Sequence, residues 1–345
     1  MASTRKIAQQ AGVSAGTVSR VFNKKSGVSD DTRRRVMEVA QELNYAPQRR
    51  LPLPLVNITH IGLLVRPLGE RVTASPFYAD VYQGVEQICS ERRINLAFGS
   101  LDIVDGQVRT LPTLVGDERI GGLVCIGALP FAVIKRLGEG SQLPLVLVDN
   151  WFADCPWDSV MLDNAAGLTQ ATEYLIGLGH ETIVFVCGPD HPSIVERRAG
   201  YEATMWRHHL TPHIMRMPEL RVEDGETAAG EIASLLPTTT AVICSNDLQA
   251  IGMIRRLGQL GYRIPEDISV VGFDDVTMAS LVHPALTTVS VDRMALGRLA
   301  VELLLSRINA PQRPSVRSTL GVKLVTRASV VAPRRQLLTM TLVAA

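Results

Sequence analysis

The chain of 345 residues contains no run of about 18 apolar residues, the length a membrane-crossing helix needs, and its first residues carry neither a long apolar stretch nor a small-residue cleavage site. These absences argue against membrane spanning and export and predict a cytoplasmic protein. Cysteine is scarce: Cys89, Cys125, Cys155, Cys187 and Cys244 are odd in number, far apart and without a C-x-x-C pair, so neither a disulfide framework nor a zinc ribbon is expected. There is no G-x-S-x-G elbow, no P-loop and no G-x-G-x-x-G, and hence no evident catalytic or cofactor apparatus. His208, His209 and His213 are the nearest approach to a metal set. Pro212 breaks their spacing and no carboxylate cluster accompanies them, so a solvated loop is expected and no metal.

Charge is unevenly spread. The net is only +1, yet residues 1–50 hold ten Lys and Arg against four Asp and Glu, which leaves the rest at −5. That pattern fits a small module that meets a polyanion, joined to a larger body with another task. The module reads as helical throughout. Ser3 or Thr4 opens a first helix that stops at Gly12, Ser14 caps a second from Ala15 to Phe22, and Asp30 and Asp31 favour the start of a third. With only Gly12-Val13-Ser14 between them, the first two helices must cross steeply around a core of Ile7, Val18, Val21 and Val36. Between Pro47 and Asn57, three prolines favour an extended linker.

Beyond the linker, short apolar runs alternate with helix-length segments: 60–65, 95–98, 122–126, 145–148, 159–162, 182–186, 241–244 and 268–273. Such alternation predicts parallel α/β sheets, and roughly ten strands divide near Asp163 into two doubly wound lobes with a cleft between them. Ligands of these sheets bind beyond the carboxyl ends of the strands, where Asp149, Asn246 and Asp274 stand.

The run Gly12-Val13-Ser14-x-x-Thr17-Val18-Ser19-Arg20-Val21-x-Asn23, followed by Val28-Ser29-x-x-Thr32-Arg33 and Leu43-x-Tyr45-x-Pro47, resembles the DNA-binding head of the lactose-repressor family of bacterial transcription factors. The similarity continues through Ser75-Pro76-Phe77-Tyr78, Val148-Asp149-Asn150, Glu196-Arg197-x-Ala199-Gly200-Tyr201, Ser245-Asn246-Asp247 and Val270-Val271-Gly272-Phe273-Asp274-Asp275. The resemblance implies a helix-turn-helix head over 1–48, a linker over 49–59 and a two-lobed, periplasmic-binding-protein-like α/β body over 60–345. Lobe one would comprise 60–162 and 290–319, and lobe two 163–289 and 320–335.

In the head, Arg20 suits bidentate pairing with a guanine, while Ser14, Thr17, Ser19, Asn23, Ser29 and Thr32 are short donors suited to phosphate oxygens or to helix capping. Ala15 and Gly16 stand where the family's specificity varies and offer no side-chain hydrogen bond. The linker departs from the family pattern. Arg49-Arg50-Leu51-Pro52-Leu53-Pro54 replaces the usual hinge helix, so Leu51 or Leu53 serves either as a minor-groove wedge or as part of a plain tether. In the cleft the resemblance nominates Asp149, Arg197, Asn246 and Asp274, with Ser75, Phe77 and Tyr78 from the first lobe. Two carboxylates, a guanidinium and an amide match vicinal hydroxyls, which makes a saccharide or polyol the expected effector; Trp151 reads equally as a stacking surface or a core residue.

The expected protein is a sequence-specific DNA-binding regulator, a repressor, acting as a homodimer on double-stranded operator DNA without a cofactor. One rival is a solute-binding protein of the same fold that never meets DNA. Another is an enzyme with Asp149 and Asp274 as acid and base.

Overall fold

The computed structural model describes residues 4–22, 27–43, 58–66, 75–104, 106–153, 155–235 and 238–334, and the chain divides into two compact units, residues 1–53 and 54–345. In the first, α1 (Thr4–Ala11), α2 (Ala15–Phe22) and α3 (Asp30–Glu42) enclose a core of Ile7, Ala8, Ala11, Val18, Val21, Val36 and Ala40. Ser14 caps α2 and Ser29 caps α3. Each hydroxyl accepts the backbone N–H three residues on, at 3.1 and 3.3 Å, and bonds the hydroxyl of Thr17 or Thr32. Asn23, the proline-rich linker with Leu51 and Leu53, most of the long Arg66–Ala74 segment and the tail after Arg334 lie outside the described residues.

The second unit runs β1 (His60–Val65), α4 (Pro76–Arg92), β2 (Asn95–Ser100), the hairpin β3 (Ile103–Val104) and β4 (Gln107–Val108), β5 (Ile120–Ile126), α5 (Phe131–Ser141), β6 (Leu145–Val148) and β7 (Asp158–Leu162). It continues with α6 (Asn164–Gly177), β8 (Ile183–Cys187), α7 (Pro192–Arg207), β9 (His213–Arg216), α8 (Val222–Leu235), β10 (Ala241–Cys244), α9 (Asp247–Gln259), β11 (Ser269–Asp274) and α10 (Thr277–Leu281). The last elements are β12 (Thr287–Ser290), α11 (Arg293–Asn309), β13 (Arg317–Leu320) and β14 (Lys323–Val325).

Two six-stranded sheets result, in the orders β13-β7-β6-β5-β1-β2 and β14-β12-β11-β10-β8-β9. Neighbouring strands run parallel except at the β12–β14 pair. The chain crosses from one sheet to the other at 162–164, 290–293 and 320–323, so each lobe is assembled from separate stretches of sequence. Central strands are buried on both faces, which explains their continuous Val, Ile and Leu runs.

Helix starts follow local chemistry. The carboxylates of Asp163 and Asp292 accept the N–H of Ala166 and Ala295 at the heads of α6 and α11. Helices α4 and α11 pack backbone to backbone: a Cβ on Gly84 would stand 2.1 Å from the Met294 carbonyl oxygen, and one on Gly297 2.1 Å from that of Val81.

Among the described residues fourteen strands form where about ten are legible as apolar runs. The additional ones are edge strands, two-residue pairings and the interior strand β12, and β9 begins at His213, which corrects the expectation of a loop over 208–213. His208 closes α7 with its ring 2.7 Å from the Glu173 carboxylate. Cys89, Cys125, Cys187 and Cys244 are buried thiols, and burial pushes Cys89 up to about 12.

Candidate functional site

In the head, α2 carries Arg20 exposed in its last turn, and Gly16 and Ser14 are exposed at its start. A short helix held by a cap and a hydrophobic face, with an arginine free to extend, is a unit that can enter a major groove and read base edges. Replacing Arg20 with Ala is expected to reduce operator affinity by roughly 10–100-fold, about 1–3 kcal/mol for a bidentate base contact, while salt-sensitive binding to random DNA changes little. Fluorescence anisotropy on both duplexes checks this, and equal losses would contradict base reading.

In the body, β6 and β11 each deliver a carboxylate at the carboxyl end of the strand. Asp149 has φ of 56° and Asp274 a φ of 109°, values few non-glycine residues adopt and that concentrate at functional sites. Both are almost fully buried, and in each Oδ1 finds no hydrogen-bond partner among the described residues. Tyr78, from the first turn of α4, donates its hydroxyl to Asp149 Oδ2 at 2.9 Å. Burial raises the Tyr78 phenol well above its ordinary value, and the Asp149 charge adds to that.

Arg197 projects from α7 and is 5% exposed. Its Nε donates to Asn164 Oδ1 at 2.9 Å, and one terminal nitrogen donates to the Ser245 carbonyl oxygen. The other terminal nitrogen stands 3.6 Å from Asp274 Oδ1, and the guanidinium lies 3.6 Å from the centre of the Phe273 ring. The pair is incompletely matched. Burial lifts the Asp274 carboxyl to about 8, Arg197 opposes the rise, and the Asp247 and Asp149 carboxylates reinforce it.

The structure thus brings Tyr78, Asp149, Arg197 and Asp274 together from both lobes. Asn246, Phe77 and Trp151 are engaged elsewhere. Asn246 caps α9, accepting from Gln249 N at 2.9 Å, and donates to the Leu220 carbonyl oxygen at 3.0 Å. Phe77 is packed in the core with its ring 5.0 Å from that of Tyr78, and Ser75 precedes α4 without a side-chain cap bond. Trp151 donates its indole N–H to Glu196 Oε1 at 3.1 Å.

Two residues not anticipated join the group. His191, after β8, has a buried Nε2 without a partner among the described residues; burial lowers its pKa, and the Asp149 charge opposes that. Its place just beyond a strand end was the available signal. Arg293, opening α11, donates Nε to Asp80 Oδ2 at 2.8 Å and a terminal nitrogen to the Asp274 carbonyl oxygen, and no sequence pattern marks it. Among the described residues no cluster of His, Cys, Asp and Glu could hold a metal, and no helix is long and apolar enough to cross a membrane.

Comparison with known proteins agrees with this architecture. Residues 5–48 match the family model of bacterial regulatory proteins of the lacI family, and residues 172–330 that of the periplasmic binding protein-like domain. The ribose operon repressor of Haemophilus influenzae is 34% identical over 316 residues, covering 90% of this chain and 93% of that protein. The transcriptional repressor PurR of Aliivibrio fischeri is 33% identical over 343 residues, covering 96% and 98%. Among solved structures, the transcriptional regulator CelR in complex with cellobiose superposes with a TM-score of 0.72 at 28% identity, over 95% of this chain and all of that one. The lac repressor dimer bound to operator and the anti-inducer ONPF gives 0.70 at 26% identity, over 96% and 99%. A helix-turn-helix head, two doubly wound lobes and full-length similarity to repressors rule out the enzyme reading: the chain belongs to the LacI family of bacterial transcriptional regulators, as a DNA-binding repressor with a small-molecule effector.

Proposed function

We propose that this repressor takes a saccharide or polyol as effector, held between the lobes by Asp149, Arg197 and Asp274 with Tyr78 beside them. The observation that carries this reading is the pair of buried carboxylates, each with an oxygen lacking a hydrogen-bond partner among the described residues, with a buried guanidinium 3.6 Å from one of them. Carboxylates accept from hydroxyl groups, a guanidinium donates to them, and an aromatic ring covers a sugar's C–H face. The similarity to a ribose operon repressor, and to a regulator solved with cellobiose, supports the same class.

The repressor acts in the cytoplasm as a homodimer on a pseudo-palindromic operator, because one small head reads few base pairs and two-fold symmetry doubles the readout. Exposed Met278 and Leu281 on α10 and exposed Phe98 in β2 are apolar surface available to such pairing. Effector binding favours one arrangement of the lobes, and operator affinity follows that choice.

A thermal-shift screen of the full-length protein against D-ribose, cellobiose, polyols, nucleosides and amino acids tests the effector class. A saccharide or polyol at a hundred times its Kd is expected to add about 2.7 kcal/mol of stability, a rise of several degrees in Tm, and to change operator affinity in anisotropy. A response to nucleosides or amino acids alone would overturn the reading of the cleft and leave the repressor intact.

A further inference from the structure

Glu196, beside Arg197 on α7 of the second lobe, has its carboxylate held from both lobes. From the first lobe, Trp151 donates its indole N–H to Oε1 at 3.1 Å and Arg317 pairs with the same oxygen. The Arg317 guanidinium lies 4.1 Å from the centre of the Trp151 ring, so the two donors form one stacked unit. From the second lobe, Asn164 donates Nδ2 to Oε2 at 3.1 Å. Asn164 is fully buried, and its Oδ1 accepts from Arg197 Nε at 2.9 Å.

A continuous line of hydrogen bonds therefore runs from Trp151 and Arg317 through Glu196 and Asn164 to Arg197. Each link has a fixed sense. A carboxylate only accepts, so Asn164 must turn its NH₂ toward Glu196, and its oxygen is then left facing the guanidinium, which only donates. Without the carboxylate the amide keeps one of its two acceptors, the Leu162 carbonyl oxygen at 3.1 Å, so it is not flipped but is held less firmly, and its grip on the Arg197 Nε–H loosens.

We propose that Glu196 is a positioning residue for Arg197 and that it makes the aim of Arg197 conditional on contact between the lobes. When the first lobe withdraws Trp151 and Arg317, Glu196 is released, Asn164 keeps only its bond to the Leu162 carbonyl, and Arg197 is held less firmly beside the Asp274 carboxyl. Closure and effector capture then reinforce one another, as linkage requires. The role in capture rests on the reading of Arg197 as an effector contact; the hydrogen-bond line itself does not.

The test uses the effector-free, full-length protein and the ¹⁵N resonances of its Arg Nε–H groups, with Arg197 assigned through Arg197→Lys. Two variants are compared: Glu196→Gln, which removes the charge, and Trp151→Phe combined with Arg317→Met, which removes both first-lobe donors to Glu196. Trp206→Phe, an exposed site on the same helix, is the control. Both variants are expected to move the Arg197 Nε–H resonance and speed its solvent exchange at least tenfold, with the control unchanged. An unmoved resonance in Trp151→Phe combined with Arg317→Met overturns the proposal, because the first lobe would then have no hold on Arg197. That double variant also stands alone should Glu196→Gln fail to fold. Absence of any saccharide binding would count against the effector reading and not against this result. With a saccharide that binds wild type, Glu196→Gln should weaken it about tenfold, and an unchanged Kd would overturn the role in capture.

Discussion

Arg197→Ala is expected to abolish the response to effector while leaving operator binding in its absence nearly intact. The guanidinium is buried, donates through two of its nitrogens, and has the third 3.6 Å from the unpartnered Asp274 Oδ1. Hydrogen bonds to charged groups contribute roughly 1.5–3 kcal/mol each, so losing two toward an effector lowers affinity by about 100-fold or more. Removing one member of a buried ion pair can cost about 3–5 kcal/mol of stability. Here the loss is limited because Asp274, lifted to about 8, is already mostly protonated at neutral pH and leaves little uncompensated charge behind. The head is a separate compact unit, so its fold does not depend on this side chain. Calorimetry of the effector and anisotropy of the operator, with melting curves to verify folding, are the measurements. Unchanged effector affinity would remove Arg197 from the site.

Much of this arrangement could be read in the sequence, for physical reasons that also mark where reading stops. The head was legible because its caps and core are local: Ser14, Ser29 and the face of Ile7, Val18, Val21 and Val36 lie within forty residues and obey helical spacing. Central strands were legible because burial on both faces demands unbroken apolar runs. Edge strands such as β9 and β14 were not, since half-exposed segments carry mixed residues and their pairing is decided by neighbours far along the chain. The carboxylates at the ends of β6 and β11 followed from strand geometry and topology. What Asn246 and Trp151 do was open, because a polar residue after a strand serves a cap, a latch or a ligand equally well, and only its partners decide. The Glu196–Asn164–Arg197 line joins positions 32 and 33 residues apart to donors from another lobe, a relation that no local pattern encodes.

Asp274→Asn is expected to abolish the pH dependence that this one carboxyl imposes on the fold and on effector binding. In the unfolded chain Asp274 titrates near 4, whereas burial holds it at about 8 in the folded protein. Below pH 4 both states carry the proton, and the group's contribution to stability is fully present. Between 4 and 8 the unfolded chain ionises while the native site does not, so stability from this group falls as pH rises, by at most about 1.4 kcal/mol per unit. Above about 8 both states are ionised and the slope disappears. Asparagine has the shape of the protonated acid and does not titrate. The Tm of the variant relative to wild type should therefore climb from pH 5 to 8 and level off beyond, and a constant difference across that range would refute the assignment. The same proton reports on ligand chemistry. At pH 7 a carboxyl with pKa about 8 is about nine-tenths protonated, and a hydroxyl that donates to it favours the ionised form. Binding of a saccharide at pH 7 should release close to one proton, visible as a binding enthalpy that differs between phosphate and Tris buffers. In Asp274→Asn that buffer dependence should vanish; its persistence would place the titrating group elsewhere and leave Asp274 a structural carboxyl.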